Sequence, residues 1–251
     1  MESILKKDKM KVFLAGDGGK PWIKDNFFSF NRLESFYYIT SEKELIFKYD
    51  SFLLDSGAFT FMNNLKSDTV NWDDYIKRYA SFINEYNVKY FFELDIDVIV
   101  GIKEVERLRN KLESLTNKKC IPVWHKSRGK QYWLDMVKSY DYVAIGGIVI
   151  KEIKPKEYPY FTWFLNEAKK ENCKVHGLGF TNLTGLHKYP FYSVDSTAWL
   201  SGNRFGSVSY FNGKTIITKT KKQGQRVKTD EVAKHNFYEW VKIAEYAEKY
   251  L

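Results

Sequence analysis

Phe52-Leu53-Leu54-Asp55-Ser56-Gly57-Ala58-Phe59-Thr60-Phe61 begins as an apolar run and breaks on a carboxylate, a hydroxyl and a glycine. The run fits a strand covered on both faces, as strands of parallel sheets are. A buried strand that delivers an acid to its carboxyl end is how α/β barrels present reacting groups. The same residues also suit a plain Asp-Ser-Gly turn with Asp55 capping the next element. Recurrence elsewhere in the chain separates the two.

Working outward, apolar runs with polar or glycine-rich ends recur. Lys11-Val12-Phe13-Leu14-Ala15-Gly16 comes first and breaks at Asp17-Gly18-Gly19-Lys20-Pro21. No Gly-Lys-Ser/Thr follows at phosphate-loop spacing, so that break reads as a turn. The segment from there to Asp50 reads as helix with loop. After the opening stretch, Asn71 is placed to cap a helix over Trp72 to Asn87, where Tyr75, Ile76, Tyr79, Phe82, Ile83 and Tyr86 keep three-four spacing. Strand-like runs follow at Lys89–Asp97, Cys120–His125, Tyr142–Ile145, Lys174–Gly179 and Tyr192–Thr197. Helical stretches lie between them, over Lys103 to Leu115, Gln131 to Ser139 and Lys156 to Glu171, with a short segment at Asn182 to Lys188. An eighth strand is expected at Thr215–Thr218, after a hairpin at Asn212-Gly213. A last helix is expected over Asp230–Tyr250. Strand then helix, repeated this way, predicts a parallel sheet, and strand ends this polar favour a (β/α)8 TIM barrel that gathers them at one mouth.

Length agrees with one such barrel: the chain has 251 residues, and no stretch is long or polar enough to divide it. We therefore expect a single domain over residues 1–251, with a basic hairpin and loop insertion at 207–228. Formal net charge is +9, which favours a polyanionic partner. Residues Lys219 to Lys228 carry five positive charges and no acid. They read as a phosphate-contacting loop or as a solvated one. The two cysteines, Cys120 and Cys173, form no Cys-x-x-Cys pair, which argues against a structural zinc ribbon and fits a reducing compartment. The charged start lacks a signal-peptide core, and no run is long enough to span a membrane. A cytoplasmic protein without membrane partner is expected.

On a barrel, Asp55, Ser56, Glu93, Asp95, Asp97, His125, the Gly146-Gly147 backbone, His176 and Asp195 converge. Paired carboxylates around a pocket suit cleavage of a glycosidic bond, one at the anomeric carbon and one moving a proton. Adjacent glycines let a flat ligand approach the backbone. Histidines in such places are more commonly structural than ligating, and the His-x-His signature of metal-dependent barrel hydrolases is missing. No metal and no cofactor is expected.

Taken in order, these strand ends resemble the queuine/archaeosine tRNA-guanine transglycosylase family. Asp55-Ser56-Gly57-Ala58-Phe59 resembles its Asp-Ser-Gly-Gly-Phe motif, and Tyr142-Val143-Ala144-Ile145-Gly146-Gly147-Ile148 its Ala-Ile-Gly-Gly-Leu stretch. Val175-His176-Gly177-Leu178-Gly179 is similar to its His-Leu-Met-Gly-x-Gly region. Val194-Asp195-Ser196-Thr197, followed by Asn203-Arg204-Phe205-Gly206, resembles its Phe-Asp-Cys and Asn-Ala-Arg-x-Gly runs. The resemblance covers about Val12 to Gly206. It implies base exchange, with Asp195 as nucleophile on C1′ and Asp55 as general acid and base. Asp95 or Asp97 would read the base edge, with Ser56, Gly57 and the Gly146-Gly147 backbone assisting and His176 nearby.

Two departures narrow the reading. Trp124-His125 stands where the family has a base-reading Gln. The cysteine-rich zinc subdomain is replaced by Ser207 to Lys228, without cysteine. Both the shorter chain and the lost zinc subdomain resemble the DpdA branch, which inserts 7-deazaguanines such as preQ0 into DNA and occurs in phages and bacterial modification islands. The resemblance thus implies DNA as partner, with tRNA as alternative, and Arg204, Lys219, Lys221, Lys222, Arg226 and Lys228 as backbone contacts. A target guanine in a duplex must be flipped out; Trp124, Phe59 or Trp199 would stack on it, or else belong to the core. A barrel glycosidase and a non-catalytic nucleic-acid binder are the readings from other classes.

Overall fold

A computed structural model describes residues 9–16, 30–39, 46, 49, 51–62, 70–201, 206–220 and 228–251. The strands are β1 (Lys11–Ala15), β2 (Asn31–Ser35), β3 (Ser51–Asp55), β4 (Tyr90–Phe91), β5 (Val123–Trp124), β6 (Tyr142–Ile145), β7 (Lys174–Gly177) and β8 (Ser193–Ser196). They form an eight-stranded sheet in the order β4-β3-β2-β1-β8-β7-β6-β5. Every ladder in it is parallel, from β1 with β2 to β7 with β8. An isolated parallel bridge pairs Phe92, just after β4, with Ile121, just before β5. There Glu93 N–H donates to Ile121 O at 3.0 Å and Ile121 N–H to Phe91 O at 2.8 Å.

The sheet curls because side chains alternate across it. Phe13, Ala15, Leu33, Leu53, Phe92, Ile121, Val123, Tyr142 and Ala144 pack together on the inner side. Their neighbours, such as Leu14, Val143 and Val194, pack outward with one group of helices, and Leu54 and Phe91 with another. That outer layer holds α1 (Ala58–Met62), α2 (Trp72–Glu85), α3 (Asp97–Val100), α4 (Ile102–Thr116), α5 (Gly129–Ser139), α6 (Phe161–Lys170) and α7 (Leu183–Lys188). Asn71 caps α2 as its sequence predicts, accepting from Asp74 N–H at 3.1 Å. The helix expected from Lys156 starts instead as a 3-10 turn over Pro155–Tyr160, with Pro159 inside it.

Two expectations about strands are corrected. Asn31–Ser35, expected as helix with loop, is β2, lying between β1 and β3. Its pattern hides it, because the outward positions Arg32 and Glu34 are charged yet pair with each other. The buried Arg32 guanidinium also sits 5.9 Å from the Tyr49 ring centre. The segment Thr215–Thr218 is not a strand of this sheet. It falls in β10 (Ile216–Thr220), which pairs antiparallel with β9 (Ser207–Phe211) in a separate hairpin. Asn212 makes that turn, its side chain accepting from Lys214 N–H and Thr215 N–H. The final helix, α8 (Thr229–Tyr250), covers the open edge of β9 with polar side chains. Asn236 Oδ1 accepts from Ser209 N–H at 2.8 Å, Asn236 Nδ2 donates to Ser207 O at 2.9 Å, and Glu239 accepts from Phe211 N–H at 2.6 Å. A strand edge satisfied in this way does not template further pairing. Among the described residues, no helix is long and apolar enough to cross a membrane.

Candidate active site

The carboxyl ends of the parallel strands lie on one side of the sheet, and the inward alternation decides which side chains meet there. On β3, Leu53 faces the inner core, so Asp55 two residues on projects into the same space. Its Oδ2 accepts from Gly57 N–H at 2.8 Å. Gly57 turns the chain at φ +86, and a Cβ there would come within 2.7 Å of Tyr37 Cβ. Burial pushes the Asp55 carboxyl up from 3.8 to about 7, and the charges of Asp95 and Asp195 push the same way. The Gly57 hydrogen bond opposes the rise. A carboxyl near 7 is half protonated at neutral pH, which suits a group that must both give and take a proton.

Asp195 comes from β8, with Val194 facing the outer core. Its Oδ1 takes two hydrogen bonds, from Gly179 N–H at 2.7 Å and from His176 Nε2 at 3.2 Å. Both use the same oxygen; Oδ2 has no partner among the described residues. His176 is fully buried, so it stands behind Asp195 and holds it from within the sheet.

Asp95, in the stretch after β4, is bound to His125 Nε2 at 3.1 Å, and His125 Nδ1 meets Glu152 Oε2 at 3.2 Å. Burial alone would lower the His125 pKa, but its bonds to Asp95 and Glu152 outweigh that and raise it to about 10. The imidazole is therefore charged at neutral pH, and both of its nitrogens are taken by carboxylates. Gly146 and Gly147 make room for this clamp. A Cβ on Gly146 would lie 2.8 Å from His125 Cε1, and one on Gly147, at φ +79, would lie 2.6 Å from Glu152 Oε2. The glycine pair thus has a packing reason independent of any ligand.

Glu93 and Asp97 are spoken for. Arg128 donates to Glu93 Oε1 at 2.8 Å and grips Asp97 with two bonds of 2.6 and 2.5 Å. Arg109 reaches Glu93 Oε2 at 3.1 Å, and Val123 N–H donates to Oε1 at 2.8 Å. Between the two acids considered for reading the base, the geometry leaves Asp95 beside Asp55 and ties Asp97 to an arginine. Ser56 is buried, and its hydroxyl has no hydrogen-bond partner among the described residues.

The stacking aromatics need correction. Trp124 alternates outward between Val123 and His125, packs on Trp133 and Phe164, and donates its indole N–H to Gly129 O at 2.8 Å. Trp199 is fully buried, with its indole N–H on Ala15 O at 3.0 Å. Both belong to the core, whereas Phe59 is half exposed. Of the basic set, Lys219 lies 5.2 Å from the Tyr210 ring centre, and Lys228 pairs with Glu231 at 2.8 Å. Arg204, Lys221, Lys222 and Arg226 lie outside the described residues.

Sequence reasoning missed Glu152, Arg128, Ser193 and Tyr142. For Ser193 a signal existed, since two residues before Asp195 on a strand means the same face. Glu152 and Arg128 sit in irregular stretches, where no periodicity marks them. Among the described residues, no group of His, Cys, Asp and Glu is arranged to hold a metal ion. No protein-family model matches the chain, and comparison with curated proteins finds no match.

Proposed function

We propose that this chain is a base-exchanging transglycosylase that removes guanine from DNA and installs a 7-deazaguanine such as preQ0. We further propose that its sheet closes into a (β/α)8 barrel, a reading that the Phe92–Ile121 bridge supports. The observation that carries the reading is electrostatic. Asp55, at the end of β3, feels the charge of Asp195 from β8 and of Asp95, so three acids far apart in sequence lie within electrostatic reach of one another.

Each acid then has a separate task. Asp195 Oδ2 attacks C1′ of the target nucleotide as the C1′–N9 bond breaks. The bonding electrons leave with the purine, and Asp55 supplies the proton that neutralises it. The incoming 7-deazaguanine gives a proton to the Asp55 carboxylate, its nitrogen attacks C1′, and the Asp195 carboxylate departs. Asp95, oriented by His125, accepts from the N–H groups on the Watson–Crick edge of each base. Desolvation and the nearby anions both raise the Asp55 carboxyl, so it is protonated often enough at neutral pH to act as the acid.

The net charge of +9 suits any nucleic acid. DNA is favoured over tRNA by one feature: two cysteines in the chain cannot build the cysteine-rich zinc subdomain that the tRNA enzymes of the family carry. The test is to incubate the protein with preQ0 and either duplex DNA or tRNA, digest to nucleosides and analyse by mass. The expected result is deazaguanine nucleoside from DNA, with a protein–DNA adduct on denaturing gels that Asp195→Asn abolishes. Modified nucleoside from tRNA alone would reject the DNA assignment, and an undiminished adduct in Asp195→Asn would reject the nucleophile.

A further inference from the structure

We propose that Tyr142, Ser193 and His176 form a one-way hydrogen-bond chain through the middle of the sheet that fixes the His176 tautomer and dedicates Asp195 Oδ2 to attack. The part about attack rests on the transglycosylase reading; the part about the tautomer does not.

Four groups line up on the inner side of β6, β7 and β8. Tyr142 Oη lies 2.5 Å from Ser193 Oγ, Ser193 Oγ lies 2.7 Å from His176 Nδ1, and His176 Nε2 lies 3.2 Å from Asp195 Oδ1. Ser193 and His176 are fully buried and Tyr142 nearly so. The imidazole is further walled by the Phe13 and Phe92 rings, at 6.1 and 5.2 Å between centres.

Donor and acceptor inventory sets the direction. A carboxylate only accepts, so the nitrogen facing Asp195 must carry the hydrogen. In a neutral imidazole the other nitrogen is then an acceptor, so Ser193 must donate to it. The Ser193 oxygen is left to accept, and the Tyr142 hydroxyl donates. Every hydrogen in the chain has one place, and no buried polar atom of the four is left unmatched. A doubly protonated imidazole would reverse the Ser193 bond. Either the Ser193 or the Tyr142 hydrogen would then have no acceptor among the described residues.

The consequence falls on Asp195. Oδ1 receives both the imidazole N–H and the Gly179 N–H, which draw electron density and lock the carboxyl rotation. Oδ2, with neither, is the more nucleophilic oxygen and points away from its anchors. His176 is in this account a positioning residue, with no contact to substrate.

Long-range nitrogen–proton NMR on histidine-labelled protein reads the tautomer directly. The expected spectrum of the neutral imidazole shows His176 with Nε2 protonated and Nδ1 bare, and Ser193→Ala shifts the Nδ1 resonance as that nitrogen loses its hydrogen-bond donor. A wild-type Nδ1–H signal would overturn the chain. In the exchange assay, Ser193→Ala is expected to lower kcat about 10- to 100-fold with KM for preQ0 and DNA little changed, as misoriented catalytic partners do. Tyr142→Phe, which removes a single oxygen and tests the chain should Ser193→Ala not fold, is expected to give a smaller loss of the same kind. Adduct formation at the wild-type rate in both variants would overturn the positioning role. If the tautomer is as expected but wild-type protein makes no adduct with any nucleic acid, the transglycosylase reading falls and takes the Oδ2 assignment with it, while the tautomer chain stands.

Discussion

Replacing Asp55 with Asn is expected to make the protein more stable at alkaline pH and no more stable at acid pH. In the folded chain the Asp55 carboxyl is raised from 3.8 to about 7, so the native state holds this proton more tightly than the unfolded state. Stability from this group is therefore present at low pH and is lost as pH climbs from about 4 to about 7. At 1.36 kcal/mol per pH unit the full penalty is about 4 kcal/mol. Water at the mouth and the sharing of charge with Asp95 and Asp195 reduce this to about 2 kcal/mol. Asn keeps an oxygen for the Gly57 N–H and carries no charge, so the variant escapes the penalty. Urea unfolding of both proteins at pH 4.5 and 8.5 measures it. The variant should gain about 2 kcal/mol at the higher pH, or about 4–8 °C in Tm, and almost nothing at the lower. It should also lose base exchange, since proton transfer to the leaving purine fails. A gap that is equal at both pH values, or absent at pH 8.5, would refute the burial and repulsion assigned to Asp55.

Three further outcomes follow from the same geometry. Gly147→Ala forces a Cβ to within 2.6 Å of Glu152 Oε2 at a φ of +79. It should split the His125–Glu152 bond and bring the His125 titration down from about 10, which NMR would follow. Because that pKa is raised, the clamp stabilises fully below about pH 6.5 and ceases to as pH passes about 10; an unmoved His125 titration would show that Glu152 contributes nothing. Arg128→Met removes one partner from the buried Glu93 and both bonds from Asp97. It should cost about 3–5 kcal/mol in urea unfolding, and a loss under about 1 kcal/mol would mean that Arg109 suffices. Trp124→Ala should cost about 3–5 kcal/mol in stability while leaving KM for the base unchanged. Intact stability with lost base affinity would return Trp124 to the substrate.

Legibility in the sequence followed the chemistry of the core. Runs buried on both faces, such as Phe52–Leu54 and Tyr142–Ile145, stand out because no polar position interrupts them. So do the acids at their ends, because the chain changes character there. β2 was invisible, since two charged residues on one face, Arg32 and Glu34, which pair with each other, mimic a loop. Thr215–Thr218 misled for the opposite reason: a hairpin lying outside the main sheet uses the same β-branched residues as a strand within it.

The sequence by itself determined the alternation of strand and helix, the acids that end β3 and β8, and the charge and cysteine content that bear on the partner. Those depend on local pattern and composition, which a linear reading contains. Only the tertiary structure decided that Asp95 rather than Asp97 faces Asp55, that Trp124 belongs to the core, and that His176 stands behind Asp195. Each of these depends on which distant side chain lies within about 3 Å, the reach of a hydrogen bond. That is fixed by the curl of the sheet and the inward or outward phase of each strand, neither of which a single strand can specify alone.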